Sequence, residues 1–382
     1  MSVTGPLHAA QAARAVQRST SLLSANEQLT LTRGAPIAYA STSMAGVREE
    51  HPELMAQAAD ACSRLLGITP TEVQPPRRAP VGLPESFRCI FGRRSVIATS
   101  RPNSRALALE ARALRELGDR GVPVPKLLAE SEDWIIVEDV GSRRMSRELN
   151  QDENLPVEKW VGACLSGLSA AHAAGRVARL DAVFDPLRGG RLDELLQMVP
   201  VLGSLAALDT PALDEAAIHA IINLTETNFI KHTASPAYMV LMDEPQRPVV
   251  LIDWQAAGPG DPLEDLMTLL SDESLPDVPE IEARLLSVHL PDFGGTERAQ
   301  AAYLLGALYV VRRMVMILSY KGDDDWWDSD AALARDLPFV RAEAILRLVN
   351  RGRRWMRQSG ELAPLVDWLA AVGRFATTKR VD

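Results

Sequence analysis

Apolar residues first recur at helical spacing over Leu54 to Leu66, and Gly67 marks the stop. Residues 1 to about 50, ahead of it, carry no strong periodicity, and a loosely attached extension is expected there. Pro70, Pro75, Pro76, Pro80 and Pro84 then forbid a helix before Phe87. Phe87 to Phe91 and Ser95 to Thr99 read as strands around the turn Gly92-Arg93-Arg94. The pattern returns to a helix over Ala106 to Leu117, ended by Gly118, and Gly121-Val-Pro-Val-Pro125 is an extended connector. Trp134 to Val137 is a short apolar strand that breaks at Gly141.

From Pro156 onward the pattern is mainly helical, with one clear helix over Trp160 to Ala174 and a long helical region from about Leu187 to Ala220. One hairpin interrupts it: Tyr238 to Met242 and Val249 to Ile252 around the turn Asp243 to Arg247. Beyond Gly260 the chain reads as helix with polar loops near Pro276, Pro291 and Asp323. There is no internal repeat. The order predicts an α+β, two-lobed fold: an extension over 1–70, a small strand-rich lobe with one helix over 71–140, and a larger helical lobe over 141–382.

Composition narrows the function. The chain has 382 residues and a net charge of −9, which argues against phosphate-backbone binding and so against a nucleic-acid partner. Cys62, Cys89 and Cys164 are scattered and odd in number, so a disulfide framework or zinc site is not expected, and a reducing, cytoplasmic setting is. The most apolar run, Tyr303 to Tyr320, holds Arg312 and Arg313 at its centre and reads as a buried helix rather than a membrane span. The first acidic residue is Glu27, so the N-terminus resembles a presequence in composition; a plain extension is the simpler reading.

The stretch that carries chemistry runs from Ile221 to Ile230 and on, past the hairpin, to Leu251-Ile-Asp-Trp-Gln255. Asp253 ends an apolar strand, where a carboxylate can hold a hard cation, and Asn228 can offer an amide oxygen to the same ion. Mg²⁺ needs few protein ligands when a nucleotide supplies phosphate oxygens. The absence of a Gly-x-x-x-x-Gly-Lys-Ser/Thr run and of a Gly-x-Gly-x-x-Gly after a strand removes P-loop and Rossmann sites. No Gly-x-Ser-x-Gly or His-Glu-x-x-His occurs either.

Leu251-Ile-Asp-Trp-Gln with Gly258, Gly260-Asp-Pro262 and Asp265-Leu266 resembles the magnesium-binding segment of the aminoglycoside phosphotransferase and choline kinase superfamily. Upstream, Leu168-Ser-Ala-Ala-His-Ala-Ala-Gly175, Glu110 to Leu117 with Gly121 to Leu127, and the hinge-like strand Trp134 to Asp139 are similar to that family's segments in the right order. The resemblance implies a protein-kinase-like fold and transfer of the γ-phosphate of ATP or GTP to a small-molecule hydroxyl. It implies Mg²⁺ at Asn228 and Asp253, and nucleotide contacts from Arg101, Glu110 and Glu138. The family's catalytic loop reads His-Gly-Asp, four residues, then Asn. Five back from Asn228 lies Asn223, with Ile221 where His is usual; a shorter register puts Glu226 there instead. The phosphate-holding lysine is missing from Ser95 to Thr99, and Arg101 is the nearest cation, able to pair with Glu110. The alternative function is a nucleotide-binding regulator or scaffold without transfer.

Each residue also has a plain reading. Asp261 is a good cap for the helix carrying Asp265, and both are expected to brace the loop. His172 sits on an apolar helix face and reads as a core histidine. The Asp- and Trp-rich loop Gly322 to Asp330 is a solvated loop by default; its carboxylates and indoles would also suit an amine-bearing acceptor.

Overall fold

The computed structural model describes residues 52–75, 86–184, 191–322, 325–334, 337 and 339–378, apart from 102, 153 and 226. The sheet lobe opens with α1 (Pro52–Leu66) and β1 (Glu72–Gln74), continues through β2 (Ser86–Phe91) and β3 (Arg94–Thr99) to α2 (Ser104–Gly118), and closes with β4 (Leu127–Glu130) and β5 (Ile135–Glu138). The five strands form one antiparallel sheet in the order β1-β2-β3-β5-β4. The period of two places successive side chains on opposite faces. Ile136 joins Phe87, Cys89, Ala98 and the α1 residues Ala58, Ala61 and Cys62 in one core. Ile135 and Val137 turn the other way, into the larger core shared with α2 and the second lobe. Within the extension expected over 1–70, the buried face of α1 completes the core of the sheet. Residues 1–51 lie outside the described residues.

α2 starts where Asn103 accepts hydrogen bonds from the backbone N–H groups of Arg105 and Ala106, which no helical carbonyl can reach. It buries Leu107, Ala111, Leu114 and Leu117, at i, i+4, i+7 and i+10, and carries Glu110 inward with them.

The second lobe contains α3 (Met145–Gln151), α4 (Val157–Val177), α5 (Arg191–Leu205), α6 (Glu215–Ile222), β6 (Asn228–Ile230), β7 (Met239–Leu241), β8 (Val249–Leu251) and β9 (Gly258–Gly260). It ends with α7 (Pro262–Leu270), α8 (Pro279–His289), α9 (Ala299–Lys321), α10 (Ser329–Ala334), α11 (Ala342–Met356) and α12 (Leu365–Thr377). The helical region expected over 187–220 is two helices, because Ala207 enters the left-handed region and Asp214 caps a new start. α9 is long and apolar enough to cross a membrane, yet most of its apolar window is buried by its neighbours, and Arg313 within it is anchored on Glu273 at 2.7 Å.

Two strand pairs position the site. β7 and β8 form the expected hairpin, with Met239 opposite Leu251. β6 pairs with β9, placing Asn228 opposite Gly260. The second pair is so close that a Cβ on Gly260 would stand 2.4 Å from Ile230 and 2.8 Å from His232.

Candidate functional site

Asp253 follows β8 with its backbone in the left-handed region, at φ 62°. Its Oδ1 is buried and makes no hydrogen bond among the described residues. Arg101, just past β3, approaches that oxygen to 3.7 Å. The same guanidinium donates from Nε and Nη2 to Glu110 Oε2 at 3.1 and 3.0 Å. The other Glu110 oxygen accepts from the backbone N–H of Trp254 at 3.3 Å, tying α2 to the segment after β8. Burial pushes the Glu110 carboxyl up, Arg101 opposes this, and the nearby Asp253 carboxylate adds to it. Both lobes thus meet at one arginine between two carboxylates.

Beneath Asp253 lies a buried lysine. Lys231 Nζ donates to the Asp253 carbonyl at 2.6 Å and to Thr233 Oγ1 at 2.7 Å, with the rings of Tyr238 and Trp254 at 5.3 and 5.4 Å. Burial lowers its pKa to about 8, against the pull of Asp253, Asp265 and Glu110. Its backbone N–H donates to Asp265 Oδ2 at 2.7 Å, the oxygen that also meets His172 Nε2 at 2.8 Å. Burial pushes the Asp265 carboxyl up, but the His172 contact and this backbone N–H hold it below the ordinary range. His232, at φ 60°, meets the Pro259 carbonyl through Nε2 at 3.0 Å. Burial, then Arg191, pushes its pKa down to about 3, so it is neutral in the fold.

Among the described residues no hydrogen bond joins Asn228 to Asp253. Three residues of strand, at about 3.3 Å each, separate Asn228 from Lys231, the residue that touches Asp253. Asn228 instead lines a separate cavity of about 540 Å³ with Thr225, His172, Arg176, Asp261 and Arg298. Its amide donates to Thr227 Oγ1 at 3.3 Å. Asn223 is the left-handed C-cap of α6, at φ 39°, an exposed position that asparagine tolerates well. Glu226 lies outside the described residues. Glu138 is committed elsewhere: its carboxylate pairs with Arg247 at 2.9 Å and accepts from Lys126 N–H at 3.1 Å, fastening the connector to the hairpin turn. Asp261 caps α7 in a capping box with Glu264, and Arg298 grips both its oxygens at 2.8 Å. In the described part of the Asp/Trp loop, Trp326 donates to the Ala376 carbonyl at 2.8 Å, so this indole nitrogen serves packing against α12.

The loop that does sit beside Asp253 is Lys231 to Met239. In the kinase pattern the aspartate stands two residues after the histidine and the asparagine seven after it. From His232 these positions are Ala234 and Met239, both fully buried. Met239 is the residue across the hairpin from Leu251, two before Asp253, which is the place an amide ligand would need. The loop therefore has a methyl group where a base would act and a thioether where Mg²⁺ would find an oxygen. The donor set of a two-ligand Mg²⁺ site does not fit these residues. In the sequence this register is carried by the spacing from His232 to the hairpin, not by an asparagine.

No family model matches this chain, and no curated protein does. Solved structures do. A GDP complex of wild-type aminoglycoside 2'-phosphotransferase-IIIa aligns with TM-score 0.51 at 12% identity, over 80% of this chain and 99% of that one. The spectinomycin phosphotransferase APH(9)-Ia, in complex with ADP and spectinomycin, gives 0.49 at 12% identity, over 84% and 98%. The choline kinase LicA from Streptococcus pneumoniae gives 0.42 at 14% identity, over 78% and 99%. At 12% identity the first of these likenesses is one of fold.

Proposed function

We propose, from the protein-kinase-like fold that this chain shares with aminoglycoside phosphotransferases and choline kinases, that it binds ATP or GTP in the cleft between its lobes and transfers phosphate only slowly. The observation that carries this reading is the convergence of Arg101, Glu110 and Asp253. Phosphoryl transfer depends mainly on positioning and charge neutralisation, and an ion pair between a cation after β3 and the glutamate of the lobe's helix is one of its recurring parts. Arg101 and Glu110 supply that pair, with a planar fork in place of a compact ammonium. The loop contributes no carboxylate at Ala234, and general-base assistance is worth about 10²–10⁴ in rate. Nucleotide binding is thus supported better than turnover.

One observation favours a second reading, an active transferase acting on a small-molecule hydroxyl: the Oδ1 of Asp253, which accepts no hydrogen bond among the described residues, is a buried acceptor suited to a ligand. The test is thermal unfolding with ATP, GTP and their diphosphates, since a ligand that binds the native state raises its apparent stability. A nucleotide-dependent rise that Arg101→Ala abolishes is expected. No rise with any nucleotide would remove the assignment. Turnover on amino alcohols and aminoglycosides separates the two readings, a rate above background favouring the second.

A further inference from the structure

We infer that this cleft takes its nucleoside triphosphate without a divalent cation, the polyphosphate charge being met by Arg101. The inference rests on the nucleotide reading and deepens it. Three features lead to it. First, residue 239, opposite Leu251 in the hairpin, is a fully buried methionine. Thioether sulfur is a soft ligand and Mg²⁺ selects oxygen, so Met239 adds nothing to a magnesium site. Second, the remaining carboxylate, Asp253, already faces a guanidinium at 3.7 Å, which weakens its pull on a metal ion. Third, that guanidinium holds Glu110 through Nε and Nη2 while Nη2 also turns toward Asp253, and arginine N–H donors are well suited to phosphate oxygens.

The charges agree with this. Arg101 and Lys231 stand among Glu110, Asp253 and Asp265, all within one connected set of contacts. Lys231 is spent on the Asp253 carbonyl and on Thr233, and is nearly inaccessible, so it is a structural cation. Arg101 lies at the junction of the lobes with its head within reach of the Asp253 side chain. A triphosphate entering there would exchange Arg101's loose contact with Asp253 for direct hydrogen bonds and leave the tighter pair with Glu110 in place.

Calorimetric titration of the full chain with ATP and with GTP, in excess EDTA and in excess MgCl₂, tests this. Dissociation constants in the two media are expected to agree within about threefold, and Arg101→Ala is expected to weaken binding about tenfold or more in both. Binding at least about tenfold tighter in MgCl₂ than in EDTA would overturn the metal-free inference while leaving the nucleotide site standing. Absence of binding in both media would overturn the nucleotide reading itself. Met239→Asn restores an amide at the hairpin position and is expected to create a magnesium preference that wild type lacks. Met239→Leu, of similar volume, controls for packing and should behave as wild type. A Met239→Asn protein that folds yet shows the same indifference to Mg²⁺ as wild type would count against residue 239 as the determinant.

Discussion

The two walls of the cleft differ in where their polar groups point. On the sheet-lobe side, Arg101 and Glu110 reach across the lobe boundary to Asp253 and Trp254. On the helical side, loop 231–239 turns its polar groups inward: Lys231 to Thr233 and the Asp253 carbonyl, its backbone to Asp265, His232 to Pro259, and Ser235 to Asp272 at 2.7 Å. Ala234 and Met239 join the hydrophobic core. The loop's path is therefore fixed by buried bonds that do not involve the two positions where a kinase loop carries its chemistry.

The largest effect that would sharpen this contrast comes from restoring the carboxylate. If the loop is held in a competent path, Ala234→Asp should raise the rate of phosphoryl transfer to a responsive acceptor by up to about 10²–10⁴, the usual worth of a general base. Single-turnover assays with ATP and GTP measure it. A folded, nucleotide-binding Ala234→Asp protein with no gain would mean that the loop's path, and not only its side chains, departs from a working site.

Next comes the scaffold itself. Asp265 accepts from Lys231 N–H and meets His172 through one oxygen while fully buried. Asp265→Asn keeps the shape and can keep its oxygen on both partners, but it puts an NH2 group where Oδ1 is buried with no hydrogen-bond partner among the described residues, so a buried donor is left unsatisfied. The cost expected is about 1–3 kcal/mol, read as a lower denaturation midpoint at unchanged slope. Glu138→Gln, on the other side of the cleft and partly exposed, should cost far less; equal losses would erase the distinction between the walls.

Much of this was legible in the residues. Alternation in Phe87 to Thr99 pointed to β2 and β3, and the short continuous apolar runs around the turn 243–247 pointed to the hairpin, because the first strands bury one face and the second both. Asp253 stood out because it ends such a strand, and Arg101 because no lysine lies on β3. β6 and β9 were not legible: Asn-Phe-Ile and Gly-Pro-Gly are three residues each, too short for periodicity, and their pairing is fixed by close packing at Gly260. Without that pair, Asn228 had no strand to belong to and looked like a loop ligand. Asn223 and Glu138 carry structural roles that the sequence does not separate from functional ones, since a helix cap and a lobe-fastening ion pair use the same residue types as a binding site.

A further expected effect concerns His232, which links the loop to β9. Its folded pKa lies near 3 and its unfolded value near 6.5, so between those values the unfolded chain binds a proton that the folded chain does not. Stability from this group is therefore complete above about pH 6.5 and declines as pH falls toward 3. At pH 6 the loss is about 1 kcal/mol, and it steepens below. His232→Gln, which can still donate to the Pro259 carbonyl, should flatten this part of the curve when urea midpoints are followed from pH 8 to pH 5. Parallel curves for the two proteins would mean that the imidazole accepts a proton in place. The loop would then be looser against β9 than its bonds indicate, and the contrast between an inward-bonded loop and an arginine that reaches across the lobe boundary would lose its basis.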